Sequence, residues 1–205
     1  MKNPSPKRSK GRPKTFQRKE VLDLAMNCYW YEGVKTLSVN EICQRIHIAK
    51  PTLYREFGGE DGLLCAVIAH YEQEVLGTLL PIVLHAPTLQ IGLHELIKVI
   101  TTPNENPLGC LFVHLKQNKA KLGPQTKAYV NKMQHKMQIL YQELVSTEQI
   151  QGRLRSDIDI ELAAQYIDTQ VMTMLSQMSR EENVEMIRRQ GKLALSVLFV
   201  QQTSK

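Results

Sequence analysis

At 205 residues, the chain suits one domain or two small ones, given the ~100–200 residues of a typical domain. An apolar share of 42% supports a packed core, an aromatic share of 6% makes that core aliphatic and Met-filled, and four cysteines without a C-x-x-C pair exclude a disulfide scaffold or a zinc finger. The formal charge is +6, and residues 1–64 carry 12 basic against 7 acidic side chains, so the cationic character sits at one end, as expected of a protein that docks on a polyanion.

Residues 1–13, rich in Pro, Lys and Ser, read as a disordered basic arm. They carry charge without the apolar stretch of a signal peptide, and no segment of the chain approaches the ~18 uninterrupted apolar residues of a membrane span. A soluble, cytoplasmic protein with reduced thiols and no membrane partner is expected. From there the pattern is helical almost throughout, without strand alternation, which predicts an all-α fold. Val21, Leu24, Ala25, Cys28 and Tyr29 recur at helical spacing, and Gly33 ends that helix. Ser38-Val39-Asn40-Glu41 is a capping box opening a short second helix with Ile42, Cys43 and Ile46 inward. His47-Ile48-Ala49 is a tight connection, Pro51 suits the first turn of a third helix, and Gly58-Gly59 ends it.

A fourth helix carries Leu63, Leu64, Val67, Ile68 and Tyr71 on one face, and Pro81 is expected to kink or end it. Further helices are expected from Thr88 to about Thr101, from Gly109 to Ala120, and from Pro124 to about Gln151, with a Pro- and Asn-rich loop at 103–107. The penultimate helix bears a stripe of Ile160, Ala163, Ala164, Ile167, Val171, Met174 and Met178; Asp157 and Asp159 precede it as capping residues. Ser179 to Glu182 reads as a second capping box before the last helix. There Val184, Ile187, Gly191, Ala194, Leu195 and Leu198 line one face, and Met186, Leu193, Val197 and Val200 another. Two apolar faces imply two packing partners, the chain's own core and a second copy. Ile167, Val171, Ile187, Gly191, Ala194 and Leu198 are the expected homodimer face.

Residues 38–57 form two short helices across a tight turn. Ile42, Ile46, Leu53 and Phe57 hold the second against the first, leaving Lys50, Thr52, Tyr54 and Arg55 outward on a helix that fits a major groove ~12 Å wide. From Gly11 to Tyr71 the sequence resembles the N-terminal domain of the TetR family of bacterial transcriptional regulators. The resemblance rests on Tyr29-x-x-x-Gly33, Thr36-Leu37-Ser38-Val39, Ile42, Ala49-Lys50-Pro51-Thr52-Leu53-Tyr54, Phe57 and Leu63-Leu64. It implies a non-enzymatic dimeric repressor whose helix-turn-helix units bind a palindromic operator in double-stranded DNA and are released by a small-molecule effector. It also implies that Ser38 and Val39 meet the phosphate backbone, while Lys50, Pro51, Thr52, Tyr54 and Arg55 face bases or phosphates. Where the family usually has Lys at the start of the fourth helix, this chain has Glu60, which suits the helix dipole and repels phosphate. Gly11-Arg12-Pro13-Lys14 resembles an AT-hook, so Arg12 and Lys14 are expected to compensate from a minor groove.

The expected organisation is therefore the arm (1–13), a DNA-binding head (14–60) and a ligand-binding, dimerising body (61–205). Phe112, Met133, Met137, Tyr141 and Met174 are the expected effector pocket. No cofactor or metal is expected. Cys110 and His114, four apart, read as a buried thiol beside a polar contact rather than metal ligands, and Cys28 and Cys43 as core thiols rather than a redox switch. A metal- or thiol-responsive switch of the same fold and a helical protein-interaction module with a basic arm remain as alternatives.

Overall fold

The computed structural model describes residues 17–34, 37–102, 109–180 and 182–200; the basic arm, Arg12, Lys14, Thr36, the loop at 103–107 and Glu181 lie outside them. Those residues are helical, with one isolated antiparallel bridge between Leu154 and Phe199. The helices are α1 (Arg18–Glu32), α2 (Val39–Arg45), α3 (Lys50–Phe57), α4 (Glu60–Tyr71), α5 (Gly77–Leu84), α6 (Leu89–Ile100), α7 (Leu111–Gln117), α8 (Pro124–Ile150), α9 (Ile160–Met178) and α10 (Val184–Ser196). A π turn, Glu72–Leu76, joins α4 to α5, and a 3₁₀ turn, Lys119–Lys121, follows α7.

Local chemistry explains most boundaries. Ser38 caps α2: its hydroxyl accepts from the Glu41 amide at 3.3 Å, and the Glu41 carboxylate accepts from the Ser38 amide at 2.7 Å. The Ser38 bonds hold the Glu41 carboxyl below its ordinary value. The α2–α3 turn places His47 at φ 57°, a region few residues other than glycine enter. Gly58, at φ 76°, stops α3 in the left-handed conformation that its missing Cβ permits. Of the two outcomes expected at Pro81, a kink or an end, the end does not occur: α4, the π turn and α5 run on as one helical rod to Leu84, with Pro81 inside. The expected capping box at Ser179 fails. The last helix is capped by Asn183, whose side chain accepts from the Met186 amide at 2.9 Å, whereas the Ser179 hydroxyl donates to the Ser176 carbonyl.

Two apolar clusters organise the chain. The first gathers Ala25, Tyr29, Trp30, Ile42, Ile46, Leu53 and Phe57 with Leu63, Val67, Ile68 and Tyr71 of α4, then continues through α7 into Val130 and Met133 of α8. The second joins α5, α6, the C-terminal half of α8, α9 and α10. The rod Glu60–Leu84 is 25 residues long and apolar enough in composition to cross a bilayer. Its buried Leu63, Leu64, Val67, Ile68 and Tyr71 account for that character as packing.

A long-range cap ties the start of the rod to α8. Asp61 accepts from the Gln125 amide at 2.8 Å and the Thr126 amide at 3.1 Å, while the Thr126 hydroxyl donates to the Asp61 carbonyl at 3.1 Å. A carboxylate thus serves the free amides of a helix 64 residues away. The contact is close enough that a Cβ at Gly123 would lie 2.2 Å from the Asp61 carboxyl carbon. At the other end of α8, Glu148 is buried and accepts from Arg153 Nη2 at 2.6 Å and Nε at 2.9 Å. Those bonds, with a backbone bond to Leu89 at the start of α6, hold its carboxyl below the ordinary value despite burial.

Candidate nucleic-acid interface

α3 turns Leu53 and Phe57 into the core at 0% and 8% exposure. The same geometry leaves Lys50, Pro51, Tyr54 and Arg55 exposed and Thr52 half-buried. Tyr54 is 50% exposed, and the Arg55 side chain 68%. Arg55 Nε donates to the Glu56 carboxylate at 2.9 Å, a contact solvent screens heavily. The base of α3 is braced by Arg18: its guanidinium lies 4.6 Å from the centroid of the Phe57 ring and donates to the Glu56 carbonyl at 3.3 Å. Ser38 is exposed and Val39 half-buried where α2 begins. Glu60, the first residue of α4, is exposed next to the α3 stop. Arg45, at the end of α2, pairs with Glu32 of α1 and is not a free cation.

A cavity of about 420 Å³ lies among the helices. α1, the π turn and α4 to α9 all contribute to its wall. Phe112, Met137 and Tyr141 line it as the sequence suggests. Met133 and Met174 do not: Met133 is buried in the first cluster, and Met174 packs over Gly191, where a Cβ would stand 2.2 Å from its sulfur. Helical periodicity marks both methionines as inward but cannot say which interior they meet. Met172 and Met178, two of the methionines that could line a pocket, do so, whereas sequence reasoning missed Trp30, Tyr71 and Asp168. Trp30 meets Tyr71 edge-on, 5.0 Å between centroids. For Trp30 and Tyr71 the sequence signal was apolar residues on α1 and α4 beyond what a three-helix head consumes.

The expected dimer face also needs correction. Ile167, Ile187, Gly191 and Leu198 are buried within the chain itself, Leu198 just beyond the end of α10; Val171 lines the cavity, and the Ala194 carbonyl accepts from the Tyr166 hydroxyl at 3.0 Å. The apolar side chains that α9 and the C-terminal segment leave in solvent are Leu162 (59% exposed), Met186, Leu193 (71%), Val197 and Val200.

Cys110 is buried, and the Tyr71 hydroxyl donates to its sulfur at 3.1 Å. Burial pushes the Cys110 thiol up, and likewise those of Cys28, Cys43 and Cys65, so all four favour the protonated form. Burial lowers His114. Among the described residues no group of three or more His, Cys, Asp or Glu side chains is placed to hold a metal ion.

Comparison with known proteins agrees with this geometry. The model for bacterial regulatory proteins, tetR family, matches residues 21–67, which span α1 through most of α4. The HTH-type transcriptional repressor ComR of Escherichia coli (strain K12) is 26% identical over 175 residues, covering 82% of each chain. The HTH-type transcriptional repressor KstR2 of Rhodococcus jostii (strain RHA1) is 20% identical over 154 residues, covering 75% of this chain and 76% of that protein. Among solved structures, a cysteine mutant of the regulator CifR, complexed with 26-base-pair double-strand operator DNA, superposes with a TM-score of 0.77 at 26% identity. It covers 90% of this chain and 98% of that one.

Proposed function

Since the chain belongs to the TetR family of bacterial transcriptional regulators, we propose that it is a cytoplasmic, dimeric repressor that holds a palindromic operator until a small molecule in the body cavity releases it. The observation that carries this reading is the presentation of α3. Leu53 and Phe57 anchor it, and Lys50, Pro51, Tyr54 and Arg55 are left for a duplex. Thr52 completes the reading face, and Ser38 and Val39 approach the phosphates from the start of α2. Arg12 and Lys14 of the arm add minor-groove and phosphate contacts that Glu60 denies the fourth helix. The head is assigned to 14–60 and the body to 61–205, with an apolar cluster continuous across that boundary.

For the dimer, the exposed side of α9 and α10, with Leu162, Met186, Leu193 and Val197, replaces the buried face as the surface that meets a second copy. Two heads in such a dimer read half-sites ~34–36 Å apart, one helical turn of DNA. The lever for release is direct, because Trp30, Met26 and Asp23 of α1 belong to the head and line the cavity as well. A ligand that displaces them moves α1, and with it α3 through Arg18 and Phe57. Release then needs only a ligand affinity that differs between the two head spacings. The test is selection of bound duplexes from a random pool. A palindromic consensus with half-sites one turn apart is expected; absence of sequence enrichment refutes the proposal.

A further inference from the structure

The cavity is lined by charge of one sign. Asp23, Glu74 and Asp168 are on its wall, and among the described residues no Lys, Arg or His is. Each carboxylate has one oxygen engaged: Asp23 Oδ1 with His70 Nε2 at 2.6 Å, Glu74 Oε1 with Lys19 at 3.2 Å, Asp168 Oδ2 with Lys116 at 3.1 Å. The second oxygen of each accepts no hydrogen bond among the described residues. Asp168 is the least accessible, its side chain 20% exposed, whereas Asp23 and Glu74 stand at 44% and 45%. The remaining wall is largely apolar and includes the rings of Trp30, Phe112 and Tyr141.

We propose that this cavity takes a lipophilic organic cation, an ammonium-type head on an apolar or aromatic body; the proposal rests on the reading of the cavity as the effector site. An anion entering here would lose its hydration, meet the second oxygens of three carboxylates whose own partners, His70, Lys19 and Lys116, lie off the wall, and find no cationic donor among the described lining residues. A cation finds the reverse. Asp23 and Glu74, the more accessible pair, draw it in; Asp168 and the aromatic faces hold a head that needs no hydrogen-bond acceptor of its own. A volume of about 420 Å³ falls within the range of small-molecule sites.

Trp30 is the single tryptophan of the chain and lines the cavity, so its fluorescence reports occupancy. The full chain is titrated with phenylbutyl-trimethylammonium, with its uncharged tert-butyl isostere and with phenylbutane sulfonate. The cation is expected to bind at least tenfold more tightly than the isostere, and the sulfonate more weakly than either. Asp168→Asn is expected to remove most of the tenfold preference and leave the affinity of the isostere in place. Because that substitution strips Lys116 of its partner, Glu74→Gln is the second variant, with a several-fold loss for the cation alone. An isostere or sulfonate that binds as tightly as the cation overturns the ligand class and leaves the effector cavity standing. If none of the three perturbs Trp30 or raises the melting temperature, the cavity reading falls as well.

Discussion

Arg55→Ala separates the reading of α3 from the stability of the fold. Among the described residues the one hydrogen-bonded partner of the Arg55 side chain is Glu56, at 2.9 Å, and that side chain is 68% exposed. An exposed pair of this kind contributes up to ~1 kcal/mol, which for a chain of this size is a fall in Tm of at most ~2–4 °C. On DNA the balance differs. A well-placed Arg contact to a base is worth ~1–3 kcal/mol, and the two heads of the proposed dimer would double it to ~2–6 kcal/mol, an affinity loss of roughly 30-fold to 10⁴-fold at ~1.4 kcal/mol per decade. Salt then says what Arg55 touches. Loss of a phosphate contact lowers the log–log salt slope by ~0.9 per head, whereas loss of a base contact relaxes specificity and leaves the slope in place. The assay is fluorescence anisotropy of the selected duplex at several salt concentrations, with a melting curve for each variant. Tyr54→Ala runs beside it, since Tyr54 is half exposed on the same face. If both variants bind the operator within twofold of the parent chain, α3 is not the reading helix.

Four further outcomes are expected. Glu60→Lys should tighten operator binding and steepen its salt dependence, at ~0.3–1 kcal/mol of stability because an acid leaves the positive end of α4; unchanged affinity would show that no phosphate lies near that position. Asp61→Ala removes the carboxylate that caps α8, with an expected loss of ~0.5–2 kcal/mol, as for other N-caps, and a Tm lower by ~1–8 °C; an unaltered Tm would mean that water serves those amides as well. The Glu148 carboxyl sits below its ordinary value of 4.5, so its contribution is complete above that value and is lost as pH falls through the lower, folded-state value. Glu148→Gln is therefore expected to flatten the acid limb of the urea midpoint measured against pH, and a parallel displaced curve would refute the assignment. Deletion of residues 1–13 should weaken binding and reduce the salt slope, and an identical slope removes the arm from the interface.

Much of the head is local chemistry and can be read from the chain alone. Ser38 and Glu41 are three residues apart, Gly58 follows directly on α3, and the spacing of Leu53 and Phe57 decides which side of an eight-residue helix faces inward. Hydrogen bonds and periodicities of this range are complete within one or two turns, so they survive without knowledge of the rest of the fold. The body is different. α9 and α10 together carry two apolar faces, and periodicity ranks neither; only the packing of Met174 on Gly191 and the burial of Ile167, Ile187 and Leu198 decide which is interior. Asp61 looks like one more acid at a helix start until the fold brings the amides of Gln125 and Thr126 to it. Pro81 reads as a kink or an end, and the rod passes through it, with Val83 two residues on buried in the second cluster. The cavity is the clearest case, since its wall draws on seven helices and includes α1 of the head. The amino-acid sequence determined the helices, their caps and the outward face of α3. Tertiary structure alone decided which apolar surfaces meet, because that depends on distances between segments far apart in the chain, which no local pattern encodes.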